Sequence, residues 1–202
     1  MNKCLIVGRP NVGKTAFLLS FSRYLGLKDI EIKVRTSDGS IHSRKRRLED
    51  AYSELVQSSP HTTQELQSVV LKLPVGKGYR VFELVDSAGL IDGVHANPVI
   101  RAAIAQTIEA IAAASVVAHM FDAALLGSAG YSEGIGQVDR DLFEYAKLQA
   151  DYFILANKMD LSGAERGLEL IRSTFHQVPV FPVSAKTMEG FKEVKRHVSR
   201  LV

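Results

Sequence analysis

The sequence holds a single cysteine, Cys4, no unbroken apolar stretch of membrane length, and almost no surplus of one charge. A lone cysteine excludes an intramolecular disulfide framework and an all-cysteine zinc site, and it fits a reducing compartment, so the cytoplasm is the expected location. The apolar run Cys4 to Val7 breaks at Gly8, which makes it neither a signal peptide nor a span, and the later stretch Ala102 to Met120 is interrupted by Gln106, Glu109 and His119. No membrane segment is expected. Lys and Arg number 25 against 22 Asp and Glu, a formal charge of only +3, so basicity alone does not argue for a nucleic-acid partner. The six histidines show no metal-ligand spacing. No repeat, low-complexity tract or linker divides the 202 residues, and with 46% hydrophobic residues they read as one domain, 1–202, with a sizeable core.

What is present is an alternation of short β-branched runs with longer helical ones. Strand-like runs occur at Leu5 to Val7, Gln64 to Leu73, Tyr79 to Val85, Val116 to Phe121, Tyr152 to Ala156 and Val178 to Val183. Helical spacing appears at Gly13 to Leu25, Pro98 to Ala114, Gln137 to Leu148, Ser162 to Phe175 and Lys186 to Leu201. The pattern predicts an α/β fold of three layers around a mostly parallel six-stranded sheet, with one antiparallel edge strand from a hairpin turning at Pro74 to Gly78.

Two stretches break the alternation. An insertion at about 28–59 is too long for a structureless loop. Ile30, Ile32 and Val34 alternate ahead of a turn at Asp38-Gly39, and Leu48, Tyr52, Leu55 and Val56 form a helical stripe. Arg44-Lys45-Arg46-Arg47 between them reads as a solvated helix start offset by Glu49, Asp50 and Glu54, with phosphate on RNA, a lipid head group or an acidic protein face as the alternatives. Gly127, Gly130, Gly134 and Gly136 predict a mobile loop.

Four motifs carry chemistry. Gly8-Arg9-Pro10-Asn11-Val12-Gly13-Lys14-Thr15 follows a predicted strand and opens a predicted helix, the context a phosphate loop requires. Its amides, those of Gly8, Asn11, Val12, Gly13, Lys14, Thr15 and Ala16, converge on phosphate oxygens at a helix N-terminus, Lys14 reaches the β- and γ-phosphates, and the Thr15 hydroxyl is placed for Mg²⁺. Asp86-Ser87-Ala88-Gly89 follows a strand, putting the Asp86 carboxylate where it can hold Mg²⁺ and the Gly89 amide near a γ-phosphate. Asn157-Lys158-Met159-Asp160 and Ser184-Ala185-Lys186 follow two later strands and make a base pocket. Asp160 can accept from both N1–H and the exocyclic amine of guanine, whereas adenine would leave that carboxylate unpaired. Lys158 covers the purine with its aliphatic stem, and the Ala185 amide donates to O6.

In this order the motifs resemble the P-loop GTP-binding domain family, and within it the Era-like branch that includes the GTPase domains of tRNA-modifying and ribosome-assembly proteins. The resemblance spans nearly all of the chain outside the insertion. It implies GTP and GDP as ligands with Mg²⁺, hydrolysis of GTP, and two switches that engage a partner protein. Pro60-His61-Thr62-Thr63-Gln64-Glu65 is similar to the family's Pro-x-Thr-Thr-Arg-Asp run, which implies Thr63, with Thr62 as the alternative, as Mg²⁺ and γ-phosphate sensor. Leu90 stands where Ras-type relatives carry a water-orienting glutamine, and in relatives with a hydrophobic residue there Asn11 helps bind K⁺. The catalytic group so implied is Lys14, Thr63, Gly89 and Asn11, with K⁺-stimulated and otherwise slow hydrolysis. A GTP- or GDP-bound interaction module with little turnover is the alternative, and an RNA or ribosome assembly factor a third. Partners implied are the nucleotide, a protein effector at the switches and a nucleotide-dependent dimer; because the chain stops after its last predicted helix, RNA binding does not carry over. His61 and His95 fall near the switches, but phosphoryl transfer asks little proton transfer of them.

Overall fold

The first strand sets the layering, because its last four residues are all buried yet face opposite ways. The computed structural model describes residues 1–36, 39–57, 66–90, 98–129, 131 and 134–202. On β1 (Asn2–Val7), Cys4 and Ile6 enter one hydrophobic cluster while Leu5 and Val7 enter another on the opposite face. A strand apolar on both faces needs cover on both. The first cluster is closed by α1 (Lys14–Tyr24), by α2 (Leu48–Tyr52) with the π-helical turn Ser53–Gln57 that continues it, and by α7 (Phe191–Leu201). The second takes α3 (Pro98–Ala112), α5 (Gln137–Ala146) and α6 (Ala164–Thr174). Phe17, Phe21 and Phe191 stack across the first cluster with ring centroids 5.1 to 5.5 Å apart, tying α1 to α7.

The remaining strands are β2 (Asp29–Arg35), β3 (Ile41–Arg47), β4 (Leu66–Val75), β5 (Gly78–Asp86), β6 (Val116–Asp122), β7 (Asp151–Asn157) and β8 (Val180–Pro182). Together they form one eight-stranded sheet in the order β3-β2-β4-β5-β1-β6-β7-β8. From β5 onward the pairings are parallel, and β5-β4, β4-β2 and β2-β3 are antiparallel. The three-layer α/β architecture is as expected, with two strands more than the six expected. The insertion supplies both, so the β4-β5 hairpin is not the edge of the sheet.

Arg44 to Arg47 do not start a helix. They end β3, whose register on β2 places Arg46 opposite Ile30 and Arg44 opposite Ile32. Ile30 and Ile32 are buried and hold β2 to the core, whereas β3 is solvated on both faces and carries no apolar period that would reveal it. The last helix begins at Phe191 rather than Lys186, because residues 184–190 form a turn in which Ser184 Oγ accepts from the Thr187 amide at 3.1 Å and Met188 and Gly190 hold positive φ. Gly127 is not part of a loose loop. It follows α4 (Ala123–Leu126), and a Cβ there would sit 1.9 Å from the Gly163 carbonyl oxygen, so the two backbones touch. Gly134 has φ of 63° and Gly136 caps α5, while Gly130 lies outside the described residues.

Candidate functional site

Residues 8–13 link the carboxyl end of β1 to the first turn of α1, and their backbone conformations explain the glycines. Gly8 and Gly13 hold φ of 143° and 101°, and a Cβ on either would meet a heavy atom at 2.3 Å, the Met120 carbonyl oxygen for Gly8 and Asn157 Nδ2 for Gly13. Asn11, exposed at the tip, takes a left-handed φ of 63°. Lys14 opens α1 and is buried, its Nζ donating to the carbonyls of Gly8 at 3.1 Å and Arg9 at 2.9 Å. Burial lowers its pKa to about 8, with Asp86 pulling the other way. The ammonium group is thus held over the loop by its own carbonyls, the geometry of a point charge waiting on an anion.

Asp86, the last residue of β5, is fully buried and faces the start of α1. Its Oδ2 accepts from Thr15 Oγ1 at 2.5 Å, while Oδ1 has no hydrogen-bond partner. Burial pushes the carboxyl up to about 6 against the opposing pull of Lys14 and Thr15. A buried carboxylate oxygen left unpaired beside a hydroxyl is a costly arrangement for a protein alone and a suitable one for a hard cation. The residues present therefore fit Mg²⁺. After Asp86 the chain turns back onto the loop, where the Leu90 amide donates to the Gly8 carbonyl at 3.1 Å, and a Cβ on Gly89 would fall 2.7 Å from the Pro10 ring. The Leu90 side chain is buried in the second hydrophobic cluster, so it offers no polar atom to a water molecule.

The far end of the site is built from the ends of β7 and β8. Asn157 is a buried bracket: its Nδ2 donates to the Val12 carbonyl at 2.8 Å and its Oδ1 accepts from the Ala185 amide at 2.9 Å. That one side chain fixes the distance between the phosphate loop and the 184–186 turn. Ser184 Oγ donates to Asp160 Oδ1 at 2.7 Å, orienting the carboxylate, and Lys158, at φ of 67°, pairs with Asp122 at 2.6 Å. A single cavity of about 540 Å³ joins the two ends, with Lys14, Thr15 and Ala16 at one and Asp160, Ala185 and Lys186 at the other. Tyr52, Leu55 and Val56 of the insertion also line it. These three were legible only as a helical stripe, with nothing to point them at a ligand. Thr62, Thr63, His61 and His95 lie outside the described residues.

One constellation has no signature in the sequence. Arg9 Nε donates to Asp139 Oδ2 at 2.8 Å, Asp139 Oδ1 lies 3.1 Å from His119 Nε2, and His119 Nδ1 lies 2.6 Å from the Tyr152 hydroxyl. His119 and Asp139 are buried. Burial lowers the pKa of His119 and raises that of Tyr152, so a neutral imidazole donates to Asp139 and accepts from the phenol. Burial works against the charge of Asp139, but its bonds to His119 and Arg9 more than offset this and hold it ionised. His119 registered in the sequence only as a polar break in an apolar run; nothing local joins it to residues 20 and 110 positions away.

Residues 3–158 match the model of the family described as 50S ribosome-binding GTPase. The chain is 29% identical over 199 residues to the tRNA modification GTPase MnmE of Symbiobacterium thermophilum, a match that covers 98% of this chain and 34% of the relative. It is 30% identical over 118 residues to the GTPase Obg of Anoxybacillus flavithermus, covering 57% and 27%. Among solved structures, an Aquifex aeolicus Era variant bound to GDP·AlF4⁻ superposes with a TM-score of 0.65 at 19% identity, over 99% of this chain and 56% of that one. The chain thus spans about a third of the length of these curated relatives.

Proposed function

This chain belongs to the family of 50S ribosome-binding GTPases, and on that premise we propose that it binds GTP and GDP and hydrolyses GTP with Mg²⁺ to switch a partner protein. The observation that carries the reading is the single cavity whose ends are a buried ammonium group and an oriented carboxylate. Lys14 and the loop amides hold the phosphates, and Asp160, set by Ser184, accepts from the guanine edge. Asn157 keeps those two ends at a constant separation through its bonds to Val12 and Ala185. Thr15 and Asp86 would hold Mg²⁺, with Thr63 as the further ligand from the first switch, and the ion supplies charge neutralisation at the phosphate oxygens.

Catalysis on this reading is electrostatic. The Gly89 amide approaches the γ-phosphate, Lys14 neutralises charge on its oxygens, and Leu90, buried in the core, supplies no group to orient the attacking water. Asn11, exposed at the loop tip in a left-handed conformation, is the side chain we propose helps bind K⁺. A cytoplasmic site of action is part of the proposal and rests on the lone buried Cys4. Among the described residues, no helix is long and apolar enough to cross a membrane.

Single-turnover hydrolysis with Mg²⁺ in KCl against NaCl tests the reading. Faster turnover in KCl, abolished by Asn11→Ala, is the expected outcome. Nucleotide binding without turnover in either salt would replace the enzyme by a nucleotide-bound interaction module.

A further inference from the structure

The hairpin that the insertion adds to the sheet carries the whole of the chain's positive surplus. Residues 28–47 hold seven basic residues, Lys28, Lys33, Arg35, Arg44, Lys45, Arg46 and Arg47, against Asp29, Glu31 and Asp38, a local charge of +4 in a chain whose total is +3. Four of the seven are consecutive on β3, the outermost strand of the sheet. Of the seven β3 residues only Arg46 is other than exposed, and among the described residues no strand pairs with its outer side. Alternate backbone N–H and C=O groups of such an edge point outward and form a template for one more strand. The side chains alternate as well: Arg44 and Arg46 share the face of Ile32 and Ile30, and Lys45 and Arg47 share the face of Glu31 and Asp29. A strand added here would have cations above and below it.

We propose that β3 is a docking edge for an extended acidic segment of a partner protein, added as a ninth strand of the sheet. This names the partner chemistry for the switch proposed above and rests on that reading. Charge complementarity selects the occupant. A second copy of this chain paired through residues 44–47 would set these cations beside one another, and like charges on neighbouring strands repel. Single-stranded RNA is disfavoured because residues 28–47 contain no Phe, Tyr or Trp on which bases could stack. An acidic strand satisfies both features, backbone pairing for affinity and cross-strand charge for selection.

The edge also has a route to the nucleotide. Arg46 forms an ion pair with Glu54 on the π-helical turn, and the next two residues, Leu55 and Val56, line the nucleotide cavity. Order imposed on β3 therefore reaches the cavity wall within one turn of helix.

The test is amide hydrogen exchange on the full chain with GDP bound, with and without a blocked nonapeptide alternating Glu and Val. The expected result is that alternate amides within 41–47, fast in the free chain, slow tenfold or more, and that Arg44→Glu with Lys45→Glu weakens the peptide's affinity at least tenfold while GDP binding is kept. If the double variant does not fold, the unaltered chain decides alone, through a matched peptide alternating Lys and Val that must fail to protect the same amides. The proposal is overturned by no protection at 41–47, by equal binding of the two peptides, or by an oligouridylate that slows these amides where the acidic peptide does not; the first of these would assign the cations to preventing self-association. Because the assay needs no GTP turnover, its failure is separable from failure of hydrolysis.

Discussion

Asp139, on α5, holds the guanidinium of Arg9, in the phosphate loop, by a 2.8 Å bond from Nε to Oδ2. The carbonyl of that same Arg9 receives Lys14 Nζ, so a helix far along the chain sets the loop that sets the lysine. Asp139→Ala removes the carboxylate that both the Arg9 side chain and the buried His119 ring bond to. The expected cost is about 2 kcal/mol of folding stability, since a buried partner is lost but Arg9 keeps some access to water. Urea unfolding measures the cost, and faster release of a fluorescent GDP analogue checks the coupling to the loop.

The same network makes stability depend on pH in a known direction. Burial holds the pKa of His119 below its ordinary 6.5, although the bond to Asp139 pulls the other way. As pH falls through about 6.5 the unfolded chain takes up a proton that the folded chain refuses, so this residue removes stability on acidification until its lower folded pKa is reached. Asp86, pushed up to about 6, has the opposite sign: the folded state gains the proton first and gains stability between about 6 and 3.8. Comparing the unaltered chain with His119→Gln isolates the first contribution. Chemical unfolding at pH values from about 7.5 down to about 6 should show a shallower loss of stability in the variant.

Gly167 sits inside α6, where Ala would ordinarily be favoured by about 1 kcal/mol. Here a Cβ would lie 1.9 Å from the Ala123 carbonyl oxygen, a backbone atom that cannot swing aside. Separating α4 from α6 should cost about 1 to 3 kcal/mol and outweigh the helical gain. Gly167→Ala is therefore expected to lower Tm by a few degrees, and a scanning calorimeter would read a rise instead if the two helices part freely.

Asp160→Asn exchanges the carboxylate for an amide that can donate as well as accept. A charge-assisted bond to guanine is lost, worth about 1.5 to 3 kcal/mol, so GTP affinity should fall tenfold or more. Xanthosine triphosphate, with an oxygen in place of the exocyclic amine, should gain. Competition between the two nucleotides measures the exchange, and an unaltered preference for GTP would remove Asp160 from the base pocket.

The features readable from sequence were those where a residue answers its own backbone. Gly8 and Gly13 are demanded by local φ and close approach, and Asp86 and Asn157 stand at the carboxyl ends of their strands, where ligands of open α/β sheets bind. The Arg9-Asp139-His119-Tyr152 chain was illegible because it is assembled from the phosphate loop, β6, β7 and α5, with no spacing in common. β3 was missed for a different reason. An edge strand solvated on both faces has no apolar period, and its charged run, followed at once by α2 and offset by Glu49, Asp50 and Glu54, reads as a helix start although it is the end of the strand.

Only a hydrogen atom fits between the Gly89 α-carbon and the Pro10 ring, and the Leu90 amide is tethered to Gly8 one step further on. The two segments proposed to meet the terminal phosphate are therefore seamed together rather than merely adjacent. A side chain at residue 89 would run into the ring, and any movement of residues 89 and 90 away from it gives up the tether. Whatever loosens one bank of this seam is felt on the opposite bank at once, with no relay in between.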